Sequence, residues 1–175
     1  MLDAAKQLLV ESGADDLTMT GLAERSGVGA TAIYRYFPNK DAVLRELALE
    51  TFSTDAWMSS IPELESGDLG KFVEQRIKQY WQLYRQEPFR VPLRAAIQSD
   101  PELGALDRAD TRRVAAEMAH TAAPSTRFDR EALELRIVLI LEEMQAAFRL
   151  AAHAELPEAE RIIETFTEMT LAALA

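Results

Sequence analysis

The chain has 175 residues, 48% of them hydrophobic and 27% charged, a balance that supports a packed core and excludes a disordered or low-complexity protein. It has no cysteine and only two histidines, His120 and His153, which excludes disulfides, thiolate metal sites and a histidine-rich metal centre built from one chain. The best candidate for a membrane span, Ile137 to Leu141, is far too short, no signal-peptide pattern opens the chain, and the net charge of −10 argues against a general nucleic-acid coat, so a cytoplasmic protein is expected.

The first helix is predicted over Leu2 to Ser12, with Leu2, Ala5, Leu8 and Leu9 on its inner stripe and Gly13 closing it as a left-handed cap. No basic arm precedes it, which leaves open a chain without such an arm and a trimmed one. Thr18 is placed to cap a second short helix, Met19, Leu22 and Ala23 supply its inner face, and Gly27 can take the left-handed conformation that ends it. Gly29 opens a third helix. There Ile33 and Phe37 share one face while Thr31 and Arg35 share nearly the opposite one, flanked by Tyr34 and Tyr36. Pro38 stops it, and Asn39 caps a fourth helix from Lys40. Two short helices joined by a glycine turn, the second with Thr, Tyr and Arg outward, are the sequence form of a DNA-binding helix-turn-helix. An ordinary helical corner would explain Ile33, Phe37 and the glycines, but not an outer face that lacks the Glu and Lys usual on a solvated helix. Charge agrees: Arg25, Arg35, Lys40 and Arg45 against Glu24 and Asp41 leave +2 between Leu17 and Arg45, so the rest of the chain carries −12.

The stretch LDAAKQLLVESG followed by LTMTGLAERSGVGATAIYRYFPNKDAVL resembles the N-terminal domain of TetR-type (tetracycline-repressor-like) transcriptional regulators, from Leu2 to about Leu47. Gly13, Ala23, Gly27, Val28, Tyr34, Tyr36, Phe37 and Lys40 carry the likeness. Gly29 stands where that family usually has Ser, and Gly21 where it often has an acidic residue. The resemblance implies an N-terminal three-helix DNA-binding domain over 1–47 and a helical effector-binding and dimerisation domain over 48–175. It implies a DNA interface of Thr18, Thr20, Gly29, Thr31, Tyr34, Arg35, Tyr36 and Lys40, in which Thr18, Thr20, Tyr36 and Lys40 look like phosphate contacts and Thr31, Tyr34 and Arg35 like the base-facing set. Tyr34 and Tyr36 could both hold phosphates, and Tyr34 could equally pack against the first helix.

The fourth helix carries Val43, Leu44, Leu47, Ala48, Phe52 and Trp57, and is expected to link the two domains; Ser59, Ser60, Pro62, Ser66 and Gly67 read as a connection. A helix then runs to about Glu87 with Leu69, Val73, Ile77, Tyr80 and Tyr84 on one stripe, and Pro88 and Pro92 break it from a short segment through Gln98. Asp100 and Pro101 start the next helix. From Asp129 to His153 the apolar surface wraps well around the helix, and Pro157 starts a last helix with another wide apolar face. The chain therefore reads as all-α, with roughly nine helices.

In the C-terminal body the resemblance implies a small-molecule effector held between helices; its candidates are Tyr80, Tyr84, Phe89, Met118, Met144 and Phe148, with Trp57, Trp81 or His120 beside them. Taken singly, each of these is better explained as core. Leu135, Val138, Leu139, Ile162, Phe166 and Met169 are the apolar residues left over once one chain's core is formed, and are expected to pair in a homodimer as a four-helix bundle. No residue set supports catalysis or a cofactor: the histidines are isolated, no phosphate loop or nucleophile elbow occurs, and Glu142 and Glu143 do not face each other. A DNA-binding dimer without an effector is the remaining alternative.

Overall fold

Local capping sets several of the helix ends. The computed structural model describes residues 1–55 and 69–175, and among these the regular structure is entirely helical. The α-helices in order are α1 (Leu2–Ser12), α2 (Met19–Ser26), α3 (Ala30–Tyr36), α4 (Lys40–Thr54), α5 (Leu69–Gln86), α6 (Arg90–Ser99), α7 (Pro101–Ala122), α8 (Arg130–Ala152) and α9 (Leu156–Leu174), with a short 3-10 turn at Ala123–Ser125. Trp57 and the connection of Ser59, Ser60, Pro62, Ser66 and Gly67 lie outside the described residues.

The Gly21 N–H donates to Thr18 Oγ1 at 3.0 Å, Ala42 N–H to Asn39 Oδ1 at 2.9 Å and Ala132 N–H to Asp129 Oδ1 at 2.8 Å, capping α2, α4 and α8. Asp100 Oδ1 accepts from both Glu102 and Leu103, each at 2.8 Å, at the head of α7. Each cap is worth about 1 kcal/mol against alanine. Gly27 ends α2 in the left-handed region, at φ 66° and ψ 14°. Gly13 departs from the expected left-handed cap: its φ is 79° but its ψ is −179°, an arrangement open essentially to glycine, at the head of the turn that follows α1. Pro92 does not break a helix. It sits in the first turn of α6, where the N–H it lacks would have had no intrahelical partner.

Two compact units result, and the division is discontinuous in sequence: Met1–Thr54 packs with Glu87–Asp107, and Asp55–Gln86 with Arg108–Ala175. In the first unit Ala5, Leu9, Leu17, Leu22, Ile33, Val43 and Leu47 form a core with Phe89, Leu93, Ile97 and Leu103, because α6 packs on α4 and α1. Full burial of a side chain such as Ile33 or Leu47 contributes roughly 1.5–3 kcal/mol. Lys6 ties α1 to α4 through Glu50 at 2.8 Å and lies over the Phe89 ring, 5.1 Å from its centroid. Arg94 of α6 pairs with the buried Asp107 of α7.

In the second unit α8 and α9 pair most extensively, and α5 packs on both. The small Ala115, Ala119 and Ala122 of α7 pack with Leu133 and Ile137 of α8. Tyr80, Trp81 and Tyr84 of α5 surround Phe148 of α8, with ring centroids 5.1–5.7 Å from that of Phe148.

Candidate nucleic-acid interface

Ile33 is the buried side chain of the seven-residue α3 and pins it to the core. Thr31, Tyr34, Arg35 and Tyr36 are exposed, Tyr34 to 53% and Tyr36 to 66%. Phenol rings left so far in water, beside a cation, are unusual on a helix with no partner. Gly29 heads α3 with ordinary dihedrals, φ −56° and ψ 140°, no side-chain cap, and open space where a Cβ would stand. Gly29→Ser should therefore stabilise the protein by roughly 0.5–1 kcal/mol, through an added cap and a less flexible unfolded chain. Denaturant midpoints read this, and a loss of stability would mean that α3 does not start as described.

Thr18 and Thr20 are exposed at the head of α2. Lys40 is half-buried, and its Nζ donates to the Ala14 and Asp15 carbonyls at 3.2 and 3.3 Å. Arg25 grips the Glu11 carboxylate with both terminal nitrogens, at 2.7 and 2.5 Å; this hydrogen bond holds the Glu11 carboxyl below its usual range and raises the guanidinium above its own. Arg45 is an exposed cation on α4 that the sequence counts but does not single out; its signal is its position two turns past the Asn39 cap, on the face opposite Val43 and Leu47.

Of the residues considered for an effector, Tyr80, Tyr84, Met144 and Phe148 are buried in the second unit and Met118 is half-buried there. The Tyr80 hydroxyl donates to Asp55 at 2.6 Å and the Tyr84 hydroxyl to Gln145, while Trp81 joins the ring cluster. Phe89 does not belong with them. It lies in the core of the first unit, because α5 ends at Gln86 and Phe89 heads α6, which packs on α4. His120 is exposed.

On the apolar faces of α8 and α9, Leu135, Leu139 and Met169 are 61%, 55% and 59% exposed, and Val138 and Ile162 are half-buried. Phe166 is not left over as expected: it is 6% exposed, because the covered stripe of α9, which includes Ala159, Ile163, Thr167 and Thr170, takes it in. An open groove of about 520 Å³ runs between the two helices, walled by Ala146, Ala147, Leu150, Ile162 and Met169 over Phe166, with Glu143, Glu158 and Arg161 at its edges. Leu150, exposed like Met169, was not singled out by the sequence pattern. Among the described residues no cluster of His, Asp or Glu is arranged to hold a metal, and no helix is long and apolar enough to cross a membrane.

An inner helix α2, a left-handed glycine turn and an α3 whose polar and aromatic face stands in water define an all-helical protein with a DNA-binding helix-turn-helix. Residues 1–47 match the family described as bacterial regulatory proteins, tetR family, and residues 67–175 the one described as Tetracyclin repressor-like, C-terminal domain. The chain belongs to the TetR family, whose members are transcriptional regulators and not enzymes. It is 33% identical over 81 residues to an uncharacterized HTH-type transcriptional regulator of Haemophilus influenzae, a match spanning 46% of this chain and 41% of that protein. Among solved structures, a TetR-family regulator from Haemophilus influenzae superposes with a TM-score of 0.71 at 22% identity, covering 99% of this chain and 93% of that one. The fatty acid degradation regulator FadR of Bacillus halodurans gives 0.77 at 17% identity, covering 97% and 92% of the two chains. SmeT, the repressor of a Stenotrophomonas maltophilia multidrug efflux pump, gives 0.71 at 19%, covering 99% and 87%. At these identities the structural likenesses establish the shared fold alone.

Proposed function

We propose that this regulator is a cytoplasmic repressor that binds a palindromic double-stranded operator as a homodimer and is released by a small, mainly apolar effector. The observation that carries the DNA half is the outer face of α3, where Thr31, Tyr34, Arg35 and Tyr36 stand in water on a helix anchored by Ile33. In this reading residues 1–47 read DNA and residues 48–175 serve effector binding and pairing. Thr31, Tyr34 and Arg35 meet base edges, Gly29 lets the head of α3 come close to the backbone, and Thr18, Thr20 and Tyr36 hold phosphates. The effector half rests on Tyr80, Tyr84, Met118, Met144 and Phe148, whose rings and thioethers suit a mainly apolar ligand.

Arg35→Ala tests the DNA half. Loss of a bidentate guanine contact should cost about 1–3 kcal/mol at particular base pairs and little elsewhere. Binding titrations on a duplex selected from a random pool, and on scrambled versions of it, measure this. Equal loss on every duplex would remove Arg35 from the base-reading set.

The mutual contact of the Tyr80, Tyr84, Trp81 and Phe148 rings favours the competing reading, a DNA-binding dimer with no effector, since a ligand among them has to displace a ring. Linkage separates the two. A ligand that weakens DNA binding by some factor must itself be weakened by DNA by the same factor, whereas a tight ligand without effect on DNA affinity excludes effector release.

A further inference from the structure

Four cations lie between Leu17 and Arg45, and the fold uses two of them internally. Arg25 is held by Glu11 on α1. The other is Lys40, the position that the family resemblance assigns to a phosphate contact. Its ammonium instead reaches back 25 residues to the Asp15 carbonyl and 26 to that of Ala14. Both carbonyls lie in the turn just past Gly13, close to the C-terminal end of α1, where the helix dipole favours a cation.

Both ends of this link are fixed by other residues. Lys40 opens α4, whose start is set by the Asn39 cap and whose body is held by the buried Val43, Leu44 and Leu47. The turn it grips runs directly into the buried Leu17 and then Thr18, the cap of α2. We infer that Lys40 is a positioning residue: its ammonium holds the α1–α2 turn against the head of α4, and so sets where the Thr18 and Thr20 hydroxyls meet the phosphate backbone, without itself supplying a phosphate contact. The consequence for affinity rests on the proposed DNA-binding role; the tether does not.

Arg35 and Arg45 then remain as the cations of this stretch with no side-chain hydrogen bond or ion pair among the described residues. A dimer docking on phosphates through Arg45, with Arg35 on base edges, neutralises about two phosphates, giving a slope of log affinity against log salt of roughly −2, where participation of Lys40 would steepen it to roughly −4. Neutral hydroxyl donors supply the other backbone contacts.

The test uses the full chain and three variants, Lys40→Met, Lys40→Gln and Lys40→Arg. Amide hydrogen exchange is followed at residues 13–17, and binding is titrated at several salt concentrations on a duplex selected from a random pool by the unmodified chain. Lys40→Met should speed exchange in that turn at least tenfold. It should also weaken binding to cognate and scrambled duplexes alike by about tenfold or more, the worth of lost charge-assisted hydrogen bonds, with the salt slope unchanged. Lys40→Gln, with a neutral donor, should lie between, and Lys40→Arg should restore both protection and affinity. A salt slope shallower by about two, with exchange unchanged, would make Lys40 a phosphate ligand and overturn the inference. Faster exchange with unchanged affinity would reduce it to a stabilising contact and overturn the positioning role. If the unmodified chain binds no duplex, the proposed function fails, and the exchange measurement still decides the tether.

Discussion

Phe148→Ala is expected to cost about 3–5 kcal/mol of stability, out of the roughly 5–15 kcal/mol typical of a folded protein. The side chain is fully buried, and three rings of α5 lie against it, with centroids 5.7 Å away for Tyr80, 5.5 Å for Trp81 and 5.1 Å for Tyr84. Alanine removes the ring's burial and leaves a space that three aromatic side chains, two of them held by hydroxyl hydrogen bonds to Asp55 and Gln145, cannot readily collapse into. At about 2–4 °C per kcal/mol for a chain of this size, the melting temperature should fall by roughly 6–20 °C. Tyr84→Phe is the control. It keeps the ring and removes the bond to Gln145, at a cost of about 1 kcal/mol. Thermal and denaturant unfolding of both variants measure this. A cost below about 1 kcal/mol for Phe148→Ala would mean that the rings already enclose unfilled space, which is the arrangement an effector needs.

The helix-turn-helix was legible because its signals are local. Thr18, Gly27, Pro38 and Asn39 act on near neighbours in the chain, and α2 begins and ends, α3 ends and α4 begins where these residues place them. Phe89 shows where local reading stops. Nothing between Pro88 and Gln98 says that this segment packs on α4, because that depends on partners some forty residues earlier, such as Leu47. The same holds for Lys40, whose backbone partners carry no signature of their own. On α9 the pattern gave a wide apolar surface but not its covered part. Phe166 lies where the stripe of Ala159, Ile163 and Thr170 meets that of Ile162 and Met169, and only the placement of α5 and α8 decides that it goes inside.

That distinction shapes the second large effect. Leu135→Glu combined with Leu139→Glu should convert a dimer into a monomer while leaving the fold intact, because both side chains are already mostly in water in the single chain, at 61% and 55% exposure. Exposed substitutions of this kind normally stay within about 0.5 kcal/mol of the parent in stability. In the proposed dimer the same positions face a symmetry mate, so each carboxylate is repeated across the two-fold axis, and like charges in an apolar contact oppose association. Phe166→Glu is the contrasting variant. It buries a charge in the chain's own core and should unfold the protein, so it does not report on pairing. The DNA consequence follows from geometry. Two α3 helices related by a dyad and set about 34 Å apart read successive major-groove faces, and the second binds at the high effective concentration that the first creates. Losing the partner should weaken operator binding by about 10²–10⁴-fold, with the affinity of a single half-site little changed. Sedimentation and titrations on full and half operators measure both quantities. If the unmodified chain is a monomer at micromolar concentration, the pairing of α8 and α9 and the palindromic operator fall together, since α3 offers one subunit too few base contacts to bind tightly alone.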